Sequence, residues 1–321
     1  MTLRIASLSP YSEDVVRGLV ADAGDIEVVL VPPAPAPEAV CEAVADADLV
    51  LGDKRHKHRL DRPALAAMRR CRLVQQPAVG FDAIDHRAAA TLGIPVANAA
   101  GYNRDSVADW TIMAILNLVR QGAYADRHMR TGEWPYAGLR GRELGALTVG
   151  ILGLGNVGNA VAARLRAFGS RILFTDVVPR SAAGATQVPL DELLATSDVV
   201  TVHVPLDRDT RSLLGDAQLG CMRRGALLIN ASRGPVVDEA ALVRALQSGH
   251  LGGAGLDVFE VEPLAEDSPL RSLDNVFLTP HTGGLTDEAE ARVLAVCAAN
   301  LRRVVDGLDP FNVVNGVTRR E

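Results

Sequence analysis

Three side chains in the second half of the chain have the types that redox chemistry on a 2-oxo acid requires. Arg233 stands in Asn230-Ala231-Ser232-Arg233-Gly234, Glu262 in Phe259-Glu260-Val261-Glu262-Pro263, and His281 in Thr279-Pro280-His281-Thr282-Gly283-Gly284. Such a reaction needs a fixed cation for the substrate carboxylate, a proton donor for the carbonyl oxygen and a carboxylate to orient that donor. Arginine suits the first task because its planar fork binds two oxygens at once. Histidine changes charge near neutrality, and a glutamate beside it fixes its tautomer and favours its charged form. Singly, each of the three could equally serve a structural salt bridge. Position joins them: each follows an apolar run of strand composition, and open α/β sheets bind ligands at the carboxyl ends of their strands.

The element that must position a cofactor for these residues is the stretch Leu147 to Asp176. A short apolar run, Leu147 to Leu152, meets Gly153-Leu154-Gly155-Asn156-Val157-Gly158, and a helical pattern follows with Val161, Leu165 and Phe168 on one face. Gly169 ends that helix, and the β-type run Arg171 to Thr175 closes on Asp176. Strand, glycine turn, helix, strand and acid is the order of a dinucleotide site. Gly153 permits the tight turn, Gly155 lets the backbone approach a pyrophosphate, and Gly158 lets the helix lie close on the strand. The helix N-terminus presents free N–H groups to phosphates, and Asp176 suits the ribose hydroxyls. An ordinary glycine-rich βα turn would leave Asp176 unexplained.

Strands and helices alternate around this unit. Strands are expected at Leu3–Leu8, Ile26–Val31, Asp48–Leu51, Leu73–Gln75 and Pro95–Ala97, with helices between them, and a rigid connection at 32–37, where four of six residues are proline. A long helical pattern from Asn103 to Arg130 links this first sheet to the glycine-turn unit. Alternation then resumes through strands Val199–Val204, Ala226–Asn230, Gly253–Asp257 and Val276–Thr279, and a last helix runs from Thr286 to about Asp306. The pattern implies an α/β chain with two doubly wound parallel sheets. A Rossmann cofactor domain, 101–286, is inserted in a flavodoxin-like substrate domain made of 1–100 and 287–321.

Composition narrows the class. A chain of 321 residues that is 48% hydrophobic can fill two cores, and a net charge of −6 argues against a general nucleic-acid or membrane-surface role. The four cysteines form no Cys-x-x-Cys pair, so no metal site and no disulfide framework is indicated. No signal-peptide pattern and no membrane-length apolar run occurs, so a cytoplasmic location is expected. His86, His128 and His250 lack acidic partners in sequence and read as surface residues, and His203 reads as structural support within a strand.

Over essentially its whole length the chain resembles the D-isomer-specific 2-hydroxyacid dehydrogenase family, including glyoxylate/hydroxypyruvate reductases and phosphoglycerate dehydrogenases. The motifs that carry the resemblance are AVGFDAID at 78–85, NAAGYNRDSVAD at 98–109, GLGNVG at 153–158 and HVPLDRDTRSLL at 203–214. INASRGPVVDE at 229–239, LDVFEVEP at 256–263 and TPHTGG at 279–284 complete the set. The resemblance implies that Arg233 binds the substrate carboxylate and carbonyl, that His281 is the acid/base and that Glu262 is its partner. It implies NAD as cofactor, touched by Asn156, Val157, Asp176, Val204, Pro205, Ala231, Ser232, Arg233, Asp257, His281 and Gly284. Val79 and Gly80 would offer backbone N–H groups to the substrate carboxylate, and a homodimer would form on the second domain and the helical segment before it. Pro77 and Asp109 depart from the family's usual alanine and glutamate, away from the catalytic positions. Formate oxidation pairs the histidine with glutamine, so Glu262 speaks against it. Phosphite-type oxidation and an NAD(H)-sensing corepressor keep the three residues and stay open as alternatives.

One loop stands apart. Asp53-Lys54-Arg55-His56-Lys57-His58-Arg59 concentrates four fixed positive charges after a strand of the first domain. It is either a solvated basic turn or a place where Lys54 or Arg55 meets a second anionic group on the substrate.

Overall fold

A computed structural model of the chain describes residues 2–33 and 36–320; part of the proline connection expected at 32–37 lies outside them. The chain divides into two compact units, one of residues Met1–Asn103 with Thr286–Glu321 and the other Arg104–Leu285.

The first unit alternates β1 (Leu3–Ser7), α1 (Glu13–Gly18), β2 (Ile26–Leu30), α2 (Pro37–Ala45), β3 (Leu49–Leu51), α3 (Arg62–Ala67), β4 (Leu73–Gln75), α4 (His86–Thr91) and β5 (Val96–Ala97). All five strands are parallel, in the order β2-β1-β3-β4-β5. β3 is Leu-Val-Leu and wholly buried, as a parallel strand covered on both faces must be. Helix starts are written into the sequence. Ser12, Asp61 and Asp85 accept the orphan N–H groups of Val15, Ala64 and Ala88. One sheet face buries Val40, Val44, Leu65 and Met68, and the other buries Val16 and Leu19.

The second unit opens with α5 (Arg104–Arg120) and α6 (Gly122–Arg130). Next come β6 (Thr148–Leu152), α7 (Asn156–Phe168), β7 (Arg171–Thr175), β8 (Ala185–Gln187), α8 (Leu190–Thr196), β9 (Val199–Val202) and α9 (Asp216–Cys221). β10 (Leu227–Asn230), α10 (Glu239–Gln247), β11 (Gly253–Leu256) and β12 (Val276–Leu278) complete it. Its seven parallel strands run β12-β11-β10-β9-β6-β7-β8, so the order reverses between β6 and β9. Leu193, Leu219, Leu242 and Leu246 fill one face of this sheet, and Ile112, Ile115, Val161 and Leu165 the other. Helix α11 (Asp287–Val305), capped by Thr286, then packs Val293, Cys297 and Leu301 into the first unit's core.

Three local expectations change. The helical stretch expected from 103 to 130 is two helices, broken at Gln121, whose φ is +52°. The Val119 carbonyl accepts the Arg142 N–H at 2.8 Å instead of continuing the helix. Strand β8 was not expected, because Ala185-Thr186-Gln187 is an exposed edge with no apolar alternation. His203 lies just past the end of β9 rather than within the strand.

Candidate active site

In the second unit, β10, β11 and β12 lie side by side, and the loops at their carboxyl ends carry Arg233, Glu262 and His281. Gly234 lets the first of these loops lie against the backbone of Phe259 and Glu260, where any Cβ would collide. Asn230, fully buried at the end of β10, holds the turn: its amide donates to the Arg233 carbonyl at 3.0 Å, and its oxygen accepts from Ser232 N and Oγ. Arg233 is thereby presented half-buried, with Nη1 donating to the Ser232 carbonyl at 2.8 Å.

His281 and Glu262 meet directly. His281 Nδ1 lies 2.8 Å from Glu262 Oε2, while Glu262 Oε1 accepts the Phe259 N–H at 3.1 Å. The carboxylate therefore faces Nδ1 and leaves Nε2 for another partner. Burial pushes the Glu262 carboxyl up, but the hydrogen bond and charge of His281, the Phe259 N–H and the Arg233 charge outweigh it. The net displacement is below the ordinary glutamate value. Glu262 thus stays ionised at neutral pH beside its histidine.

The backbone at His281 is left-handed, with φ +57°. Asp257 holds it there. Its main-chain carbonyl accepts the His281 N–H at 2.8 Å, and its buried carboxylate accepts Thr279 Oγ1 (2.5 Å), Thr282 N (2.8 Å) and Gly283 N (2.7 Å). Trp110 of α5 donates its indole N–H to Thr279 Oγ1 at 3.0 Å. Thr279, Thr282 and Trp110 were not singled out from sequence, because only the fold brings α5 to the end of β12. Asp257, expected to touch a cofactor, spends both carboxylate oxygens on this turn.

The glycine turn lies where the strand order reverses. Gly153 has φ +93°, and a Cβ there would press on the His203 carbonyl at 2.8 Å. A Cβ on Gly158 would collide with the Gly153 carbonyl, whereas one on Gly155 would meet nothing within 4 Å. Gly155 caps α7 with no side chain, and the first helical bond runs from Asn159 N to its carbonyl. Among the described residues, nothing accepts the N–H groups of Asn156, Val157 and Gly158. Free donors, open space at Gly155 and the dipole end of a thirteen-residue helix fit a dinucleotide pyrophosphate. Asp176, at the tip of β7, accepts Leu154 N (2.9 Å) and Val178 N (3.2 Å), and Arg180 Nε lies on it at 3.0 Å. Val204, Pro205, Ala231, Ser232 and Gly284 all occupy loops at the carboxyl ends of strands.

His203 donates to or accepts from Thr201 Oγ1 at 2.9 Å, and burial pushes its pKa down to about 3. It is a neutral structural ring. The other histidines also have partners: His128 has Glu133 at 3.9 Å, His250 the Leu219 carbonyl, and His86 the Phe81 ring.

On the first unit, Val79 and Gly80 follow β4. Asn98 Nδ2 donates to the Val79 carbonyl at 2.7 Å, and Ala99 N donates to the Ala78 carbonyl at 3.0 Å. These bonds fix the turn while its own N–H groups at Val79 and Gly80 have no acceptor among the described residues. Lys54 and Arg55 follow β3; Arg55 is exposed, and Lys54 is paired with Glu290.

Residues 112–283 match the NAD-binding domain of the D-isomer specific 2-hydroxyacid dehydrogenases. The chain is 39% identical to the glyoxylate reductase of Korarchaeum cryptofilum over 289 residues, 88% of this chain and 86% of that one. It is also 39% identical over 265 residues to the D-3-phosphoglycerate dehydrogenase of Archaeoglobus fulgidus, covering 81% of this chain but only 50% of that longer protein. The D-lactate dehydrogenase of Aquifex aeolicus, solved with NAD and lactic acid, superposes with a TM-score of 0.84 at 31% identity, over 98% of this chain and 99% of that one. With its two parallel sheets, its glycine turn at the strand reversal and its histidine–glutamate pair at neighbouring strand ends, the chain belongs to the D-isomer specific 2-hydroxyacid dehydrogenase family of NAD-dependent oxidoreductases.

Proposed function

We propose that this enzyme interconverts a small 2-oxo acid, such as glyoxylate or hydroxypyruvate, and its 2-hydroxy acid, with His281 as the acid/base, Glu262 as its orienting partner and Arg233 as the cation for the substrate carboxylate. The observation that carries this reading is the 2.8 Å contact of His281 Nδ1 with Glu262 Oε2, on strand-end loops beside that of Arg233. NAD, when bound, supplies or takes up the hydride at the substrate carbon. In reduction, His281 Nε2 gives its proton to the carbonyl oxygen; in oxidation it takes the hydroxyl proton. Glu262 offsets the charge the imidazole carries in the first case and gains in the second. The Arg233 fork fixes the carboxylate and polarises the carbonyl. In this reading the first unit is the substrate domain, whose Val79 and Gly80 N–H groups suit a carboxylate, and the second is the cofactor domain.

Asp176 favours NAD(H) over NADP(H), because its carboxylate repels a 2′-phosphate; Arg180 already lies on that carboxylate and limits the discrimination. A homodimer belongs to the same reading. Trp134 and Tyr136 are 77% and 82% exposed beside α6, a helix with no buried residue. A cytoplasmic location fits the buried thiols of Cys71 and Cys297, each pushed up to about 12 chiefly by burial.

The test is NADH oxidation with a panel of glyoxylate, hydroxypyruvate and pyruvate, repeated with NADPH. Turnover of at least one, faster with NADH, is expected. Failure with every member would overturn the dehydrogenase reading and favour an NAD(H)-sensing binding protein.

A further inference from the structure

The basic loop after β3 is a fixed turn in which one of the four fixed cations is partly buried. Asp53 is buried, and its carboxylate gathers the N–H groups of Arg55 (2.9 Å), Lys57 (2.9 Å) and His58 (3.1 Å) together with His58 Nδ1 (2.8 Å). Arg55, Lys57 and Arg59 are exposed. Lys54 differs. Its main-chain N–H donates to Ser9 Oγ at 3.0 Å, and its ammonium donates to both oxygens of Glu290, at 2.9 and 3.0 Å. The same ammonium lies 4.8 Å from the centre of the Tyr11 ring. Tyr11 is itself buried, and burial together with the nearby Glu290 charge pushes its phenol well above the ordinary range.

The place of this cluster gives it meaning. Ser9 and Tyr11 follow β1, Lys54 follows β3, and the first unit's strand order reverses between those strands. Ligands of open parallel sheets bind at that point, outside the carboxyl ends. Gln76, beyond β4, donates to the Asp53 carbonyl at 3.0 Å and so ties the Lys54 loop to the segment that carries Val79 and Gly80. Glu290 comes from the first turn of α11, separated from Lys54 by most of the chain.

We propose that Glu290 is a specificity-determining residue that neutralises Lys54 and so makes this edge select singly charged oxo acids over those with a second anionic group. The proposal rests on the reading of Val79 and Gly80 as the carboxylate end of the substrate site. A substrate tail ending in hydrogen or hydroxyl meets a closed ion pair and an aromatic ring. A tail ending in phosphate or carboxylate must displace Glu290 from Lys54 or bear its repulsion. Removing the Glu290 charge leaves an uncompensated ammonium at the same place.

The experiment compares kcat/KM for glyoxylate and hydroxypyruvate with kcat/KM for 3-phosphohydroxypyruvate and 2-oxoglutarate, in the parent, in Glu290→Gln and in Lys54→Met/Glu290→Gln. The parent is expected to favour the singly charged acids. Glu290→Gln should move the ratio toward the doubly charged acids by about tenfold, and the double variant should lose that gain. An unchanged ratio in Glu290→Gln, the same gain in the double variant, or a parent that already prefers doubly charged acids would each overturn the proposal. If no oxo acid turns over, the proposed function fails, and thermal melts with inorganic phosphate still decide this one. Phosphate should then raise the Tm of Glu290→Gln more than that of the parent or the double variant, and equal shifts in all three would refute it.

Discussion

His281 depends less on its neighbours in sequence than on Asp257, which holds its left-handed backbone, and on Glu262, which holds its ring. Replacing His281 by alanine should lower kcat by roughly two to four orders of magnitude, the range for a lost general acid, with the fold intact by circular dichroism. Glu262→Gln should move the pH–rate profile for reduction toward acid, because the carboxylate, whose pKa lies below the ordinary glutamate value beside His281, is gone. A profile that stays in place removes Glu262 from the mechanism. Arg233→Lys should raise KM and lower kcat together, since an ammonium offers no bidentate fork. Near-parental constants there mean that another group holds the carboxylate. Thr279→Val leaves Trp110 and Asp257 each short of one partner, so it should lower kcat and cost roughly 1–3 kcal/mol of stability. Stability lost with kcat intact would mean that the network supports the fold but does not position His281.

At the scale of elements, the glycine turn separates binding from folding. Gly155→Ala meets no atom, so Tm should hold while NADH affinity, read by fluorescence titration, falls. Gly158→Ala drives a Cβ into the Gly153 carbonyl, so Tm and affinity should fall together. Equal loss of Tm in both would show that the space at Gly155 is not reserved for a ligand. The β3 loop carries a pH-dependent term. Asp53 is buried, yet its four hydrogen bonds outweigh that burial and hold its carboxyl below the ordinary value. A depressed folded-state pKa contributes stability above the unfolded value and loses it as pH falls through the folded one. Asp53→Asn should therefore cost most at neutral pH, and the gap to the parent should narrow below about pH 4, as read by denaturant melts. Most of these elements were legible, because buried parallel strands and their glycine, serine and aspartate punctuation are local signals. The break at Gln121 was not, since its cause is Arg142 taking the Val119 carbonyl. Nor was the Lys54–Glu290 pair, whose partners meet only after both sheets are complete.

For the whole molecule, the exposed aromatics beside α6 make the oligomeric state a direct test. Sedimentation should find a dimer, and Trp134→Ser with Tyr136→Ser should shift it toward monomer; a dimer that ignores both changes uses another surface. The chain's route through its two units has a further consequence. The first unit is not complete when its five strands are made, because α11 arrives only after Arg104–Leu285 has been synthesised. At ordinary translation speeds of about 5–20 residues per second, that delay lasts roughly ten to forty seconds. Throughout it, the sheet face around Val16 and Leu19 lacks Val293, Cys297 and Leu301 as its cover. A nascent chain stalled before Thr286 should hold a protease-resistant second unit and a chaperone-bound, dye-binding first one. Release of residues 286–321 should then cover that face in one step, read as a joint loss of dye binding and of chaperone association.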